Sequence, residues 1–200
     1  MQYLNNKRIY KYILVSIIFL ISCGHPDYKY PHLLIETRLG DIEVELYPDK
    51  APKTVAAFLS NIDAGLYTNT SFYRVLKAEE LPTDFNTGII QAGIWQSGNK
   101  LLIPIPGIVH ESTRQTGLSH TDGTISMARK DTGTATTEFF ICIGDQSSFD
   151  FGKGGNPDGQ GFAAFGKVFK GMSIVRKIQA QKSHGENFDE NIEISSIKKL

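Results

Sequence analysis

The sequence is short of nearly everything that would mark a metal, redox or nucleic-acid protein. Its five histidines (His25, His32, His110, His120 and His184) show no metal-ligand spacing, so no metal is expected, and His120 reads as a structural hydrogen-bonding residue ahead of a strand. Basic and acidic residues balance at 21 each, so no overall field draws the chain to nucleic acid. Residues 151–161 (FGKGGNPDGQG) lack the Lys-Ser/Thr ending of a phosphate loop and the carboxylate ladder of a calcium loop. They read as a turn-rich loop, and no cofactor is expected. There is no internal repeat and no low-complexity tract, and 200 residues with 40% hydrophobic content supply one packed domain with little left for a second.

A long apolar run is also missing. Lys7, Arg8 and Lys11 precede an apolar stretch at 12–21, about half the roughly 20 residues needed to span a bilayer. Residues 1–22 therefore read as a signal peptide. The run ends Leu20-Ile21-Ser22-Cys23, which resembles the lipobox of bacterial lipoproteins, a small residue before a cysteine that is acylated. On that reading Cys23 carries lipid, 24–31 form a short polar tether with Pro26 and Pro31 opposing regular structure, and the protein sits on the periplasmic side of a membrane. The alternative is a simple secretory signal or an uncleaved anchor. Lipidation of Cys23 would leave Cys142 unpaired inside an apolar run, so no disulfide and no catalytic cysteine are expected.

What is present begins with residues 123–144, GTISMARKDTGTATTEFFICIG. Two short apolar, β-branched or aromatic runs read as strands. Between them lies a loop of Gly, Ala, Thr and Asp, rich in donors and acceptors and poor in bulk, which suits contact with a peptide backbone. Further strands are expected at 32–37, 41–46, 72–76, 89–94, 163–168 and 192–197, from short β-like runs and apolar alternation. Leu39-Gly40-Asp41 marks a hairpin. Residues 51–64 open with Pro52, place Val55, Phe58, Leu59 and Ile62 on one face and stop at Gly65, which predicts a helix, and 172–181 predict a second. Many short antiparallel strands without a βαβ rhythm point to a mainly β protein, a closed antiparallel barrel capped by two helices.

Several separated motifs, in one order, resemble the cyclophilin-type peptidyl-prolyl isomerases. They are DIEVELYPDKAPKTVAAF with SFYRV, then GTISMA with EFFI, then GFAAFGKVFKGMSIV, and the resemblance spans 32–200. It implies a barrel of about eight strands, a monomer, and isomerisation of X–Pro bonds in proline-containing polypeptides. That reaction meets a barrier of about 18–20 kcal/mol set by amide resonance. It needs an apolar pocket for the proline ring, hydrogen bonds to the flanking backbone, and a cation that favours the twisted amide.

Residue by residue, the resemblance assigns Arg74 as the catalytic cation, Gln91 as the group orienting the substrate backbone and Phe140 as the base of the proline pocket. Ala128 and Arg129 stand at the edge whose main chain pairs with substrate, a contact indifferent to side-chain identity. Met127 and Phe139 read as core. The chain departs from the family pattern around the pocket. Gly88 and Ile89 replace the usual Phe-Met pair after an insertion at 76–87, Phe149 replaces a common leucine, and Phe162 a histidine or tyrosine. Ile89, Phe149 and Phe162 are then expected to supply pocket wall. Glu138 replaces a common glutamine and is expected to partly neutralise Arg74 or hold it in place. Ser148 replaces the tryptophan of cyclosporin-sensitive members, which implies weak cyclosporin binding. The resulting expectation is an isomerase acting on proteins that fold in the bacterial cell envelope. A proline-recognising binding or chaperone module with little turnover is the alternative that the altered pocket motivates, and a purely structural envelope lipoprotein is a third.

Overall fold

The computed structural model describes residues 28–78, 86–96 and 104–200. The expected signal peptide, Cys23, residues 24–27 of the tether and most of the insertion at 76–87 lie outside the described residues. Eight strands form one antiparallel barrel: β1 (His32–Thr37), β2 (Gly40–Leu46), β3 (Thr70–Lys77), β4 (Gly88–Gly93), β5 (Thr124–Met127), β6 (Phe139–Ile143), β7 (Ala163–Lys170) and β9 (Asn187–Lys199). Their spatial order is β1-β2-β7-β5-β6-β4-β3-β9, and β9 pairs back onto β1 to close the wall. A short β8 (Ser183–His184) adds a hairpin to β9. Closure leaves no long unpaired edge.

Period-two alternation sorts the side chains to the two faces of this wall. On β6, Phe139, Ile141 and Ile143 join the interior core, whereas Phe140 and Cys142 belong to a separate cluster on the outer face. On β4, Ile90 and Ala92 point in and Ile89 joins Phe140 outside. Met127 and Phe139 are core, as expected.

Strand β3 breaks the rule. Phe72 pairs with Ala92 and Arg74 with Gln91, so Tyr73 has no partner on β4 and the register shifts there. The pairing with β9 shifts at the same place. This β-bulge puts one extra residue into the strand and re-aims the side chains beyond it. Phe72 and Val75 both reach the core, two residues lie between them, and Arg74 emerges on the outer face instead of being driven inward by alternation.

Helix α1 (Pro52–Asp63) lacks a local side-chain cap. Its N-terminal N–H groups are satisfied from far along the chain, since Glu111 accepts from Lys53 N at 3.2 Å and from Thr54 N at 2.8 Å. A carboxylate at this end also suits the helix dipole. Phe58 on α1 closes one end of the barrel, packing against Tyr67, Phe139 and Phe165 with ring centroids 5.0, 5.4 and 4.9 Å away. A single helical turn, α2 (Thr113–Thr116), follows, and then α3 (Met172–Gln179). On α3 the Gln179 amide donates to Leu76 O and Thr87 O, tying together the ends of β3 and β4.

The differences from expectation are local. The first turn lies at Arg38–Leu39, because Gly40 already pairs with Thr37. Strand β9 starts five residues earlier than its apolar alternation suggests. Its polar first half (NFDE) is held by pairing with β8 and with Arg74, which a hydrophobic pattern does not report. Residues 28–31 are irregular and pack on the barrel: Tyr28 donates to Glu43 at 2.8 Å and stacks on His32 at 3.6 Å. Among the described residues no helix is long and apolar enough to cross a membrane.

The aromatic plug predicts its own test. Phe58→Ala should destabilise the barrel by about 3–5 kcal/mol. Denaturant unfolding should show this as a lower midpoint with an unchanged slope.

Candidate functional site

The outer face of the wall at β3, β4 and β6 carries a groove of about 810 Å³. The register aligns Arg74 with Gln91, Gln91 with Phe140 and Phe140 with Ser126. A cation, an amide and an aromatic ring thus lie side by side across three adjacent strands, each on an outward position. Arg74, Ile89, Gln91, Ala128, Arg129, Phe140, Phe149 and Phe162 all line the groove.

At one end of the groove the walls are apolar. Phe140, Phe149 and Phe162 pack edge to face with centroids 5.3–5.8 Å apart. Ile89, Leu76 and Ala128 pack in the same cluster. Gly88 contributes nothing and has no room to, because a Cβ there would sit 2.0 Å from Leu76 O. Ile89 and Leu76 therefore make the wall that the usual bulky pair would make. His120 lies behind Phe140, its ring nearly parallel at 5.9 Å, held by Asp150 at 2.6 Å on Nδ1 and Ser126 at 2.9 Å on Nε2. Burial lowers its pKa, which favours the neutral ring despite the opposing Asp150 carboxylate. Cys142 is buried in this cluster, and burial pushes its thiol up, so it packs as a protonated apolar side chain.

The polar end is a relay. Arg74 Nη1 donates to Gln91 Oε1 at 2.8 Å, Gln91 Nε2 donates to Tyr73 Oη at 2.7 Å, and Tyr73 Oη donates to Glu138 Oε2 at 2.5 Å. The other Glu138 oxygen accepts Ile94 N at 2.8 Å and Trp95 N at 3.1 Å. Gly93 (φ +151) makes this possible, since a Cβ there would meet the Glu138 carboxylate at 2.3 Å. Burial raises the Glu138 pKa against those hydrogen bonds, and burial together with the Glu138 charge raises that of Tyr73.

From the sequence, Glu138 is expected against Arg74. The carboxylate that actually meets the guanidinium is Glu186, whose Oε2 accepts Nε at 2.8 Å and Nη2 at 2.6 Å. Glu138 holds Arg74 only through Tyr73 and Gln91.

Arg129 also does more than its main chain was expected to do. Its guanidinium meets Asp158 at 2.7 and 2.9 Å, donates to Gly161 O from Nε at 3.1 Å, and lies 5.4 Å from the Phe162 ring centroid. Hydrogen bonds from Arg129, from the Gln160 backbone N–H and from Thr132 hold the Asp158 carboxyl well below the usual carboxylate range. This clamp fixes loop 151–161 against the groove, so side-chain identity matters at 129.

Comparison with known proteins gives the same answer as the geometry. The family model for cyclophilin type peptidyl-prolyl cis-trans isomerase/CLD matches residues 32–199. The chain belongs to this family. It is 35% identical over 148 residues to peptidyl-prolyl cis-trans isomerase A of Dickeya dadantii (strain 3937), covering 74% of this chain and 70% of that one. It is 36% identical over 144 residues to peptidyl-prolyl cis-trans isomerase B of Escherichia coli (strain K12), covering 72% and 80%. In fold it is similar to a Cryptosporidium parvum cyclophilin, with a TM-score of 0.67 at 22% identity over 86% of this chain and 98% of that one.

The structural hydrogen bonding expected of His120 is present, but sequence reasoning missed its partners Asp150 and Ser126 and its place behind Phe140, as well as Glu186, Tyr73 and Leu76. Only Tyr73 left a trace: in SFYRV the alternation fails, because Phe72 and Val75 cannot both face the core unless the strand is bulged. Glu186 lies in a polar hairpin with no pattern at all.

The buried Glu138 carries a pH signature. Its raised folded pKa means that its contribution to stability is complete below the ordinary carboxylate range and is lost as pH rises through the raised value. Glu138→Gln keeps an oxygen for the two N–H groups, while its amide nitrogen donates to the tyrosine oxygen instead of accepting from it. The variant should gain stability relative to the parent chain between about pH 4 and about pH 7. Denaturant unfolding at both pH values measures the difference.

Proposed function

We propose that this protein accelerates cis–trans isomerisation of X–Pro bonds in polypeptides, with the groove on the outer barrel face as its site. The observation that carries the reading is the cross-strand row Arg74, Gln91 and Phe140, which sets a permanent cation beside an aromatic-walled recess. A proline ring enters between Phe140, Phe149, Phe162 and Ile89. Gln91 and the main chain at Ala128 and Arg129 hold the flanking backbone. The Arg74 guanidinium then stabilises the twisted amide, in which resonance is lost and the lone pair returns to a pyramidal nitrogen. Nothing is bonded covalently, so no nucleophile is needed. A related cyclophilin was crystallised in the presence of the dipeptide Ala-Pro, which agrees with this substrate class.

The binding-module alternative rests on the altered residues before Gln91. The continuous cluster of Ile89, Leu76, Phe140, Phe149 and Phe162 closes that gap in the recess, and retention of Arg74 beside it supports turnover instead. Cellular context comes from the leader. Its basic start, short apolar run and Ser22-Cys23 junction support a lipid-anchored enzyme acting on proteins that fold in the bacterial cell envelope.

Exchange NMR on an X–Pro peptide tests the activity. The protein should accelerate isomerisation, and Arg74→Ala should lose about a hundredfold of the rate, comparable to removing one preorganised donor elsewhere, while peptide binding persists. Binding without acceleration by either protein would establish the recognition module instead. The anchor is tested by metabolic labelling with radioactive palmitate: the intact chain should incorporate label and Cys23→Ser should not.

A further inference from the structure

Arg74 is held from two sides, and only one of them belongs to the groove row. Glu186 sits in the two-residue turn of the β8–β9 hairpin, between the paired residues His184 and Asn187, with Gly185 in the left-handed region at φ +56. Its backbone is fixed to the strand that bears Arg74, since Val75 N donates to Glu186 O at 2.8 Å and Arg74 itself pairs with Asn187. From that fixed point the side chain turns back, and one oxygen, Oε2, accepts both Nε and Nη2 of Arg74. A guanidinium carries five N–H groups in one plane. Among the described residues, Glu186 and Gln91 take one each from Nε, Nη2 and Nη1. The N–H groups that remain are one on Nη1 and one on Nη2, at the tip of a side chain that lines the groove.

We infer that Glu186 is a positioning residue for the isomerisation: by gripping the inner edge of the Arg74 guanidinium it fixes the plane in which the outer N–H groups meet the prolyl amide. This rests on the reading of Arg74 as the isomerising cation. Arg74 comes from an outward strand position and is one-third exposed, so without a second anchor its long side chain would sweep several rotamers. Gln91 alone restrains one nitrogen and leaves rotation about that bond. Glu186 removes it. The contact is a surface ion pair, of little consequence for stability, so its removal should leave the fold intact. Since a single oxygen receives both N–H groups, a neutral amide oxygen can replace it, and the tether matters more than the charge.

Exchange NMR with an X–Pro peptide, run on the full chain, separates the possibilities. Glu186→Ala should lower kcat by about tenfold, the scale of a modest misplacement of a catalytic group, with KM within about twofold. Glu186→Gln should recover most of that loss. In the Arg74→Ala background the removal of Glu186 should cost nothing further, because the effect passes through Arg74. Independently of activity, the Arg74 Nε–Hε signal in 15N spectra should be slow to exchange in the parent chain and in Glu186→Gln, and lost to exchange in Glu186→Ala. Unchanged or faster turnover in Glu186→Ala overturns the inference, the latter by making the pair a brake. A change confined to KM also overturns it, as does an additive loss in the double variant. A parent chain that binds peptide but does not turn it over defeats the reading of Arg74 itself. A persistently unprotected Nε–Hε in an active parent chain defeats only the role of Glu186.

Discussion

One extra residue in one strand determines where the chemistry can occur. Were β3 regular, the side chains of Phe72 and Arg74 would share a face, and the guanidinium would enter a barrel interior filled by Phe58, Phe139 and Phe165. An unpaired charge there is prohibitively costly. The bulge at Tyr73 resolves the conflict by letting Phe72 and Val75 keep the core while Arg74 moves outside, opposite Gln91. It also gives Tyr73 a place in the site, as the link between Gln91 and Glu138. The core therefore decides the position of the cation.

The apolar half of the groove arises from the opposite principle, strict alternation. Every second residue of β4 and β6 must leave the core, and the chain spends those positions on Ile89, Phe140 and Cys142. Exposed on their own, they would be a liability. They are instead walled by Phe149 and Phe162 from loop 147–162, which the Arg129–Asp158 clamp and the His120–Asp150 contact hold in place. The result is a recess that is largely preformed, as small-ligand sites generally are, with apolar walls and a paired charge, Arg129 with Asp158, behind Phe162. Arg74, Glu186 and Glu138 gather at the other end, where a twisted amide would have use for the cation.

Much of this was legible in the sequence, and the reasons are specific. The strand at 32–37 read correctly to the residue from its alternation and flanking turn residues, and 139–143 from a short continuous apolar run, FFICI, ended by Gly144. The helix closed by Gly65 was visible from Pro52 and its apolar stripe. Arg74, Gln91 and Phe140 were found through motif resemblance, since no pattern of periodicity distinguishes them from ordinary strand residues. What stayed hidden is what depends on contacts between distant polar residues: Glu111 capping α1 across 57 positions, Glu186 reaching Arg74 across 112, Arg129 reaching Asp158. Long-range polar pairing leaves no local signature, whereas the hydrophobic pattern that sets the barrel is local by nature. The early polar half of β9 was missed for the same reason.

Intermolecular NOEs from the proline ring protons of an X–Pro peptide to the 13C-labelled protein would test most directly whether the outer face of β3, β4 and β6 receives the proline. Contacts are predicted to the rings of Phe140, Phe149 and Phe162 and to the Ile89 methyl groups. Contacts confined to another surface, such as the cavity lined by Tyr30 and Tyr47, would contradict this placement of the site.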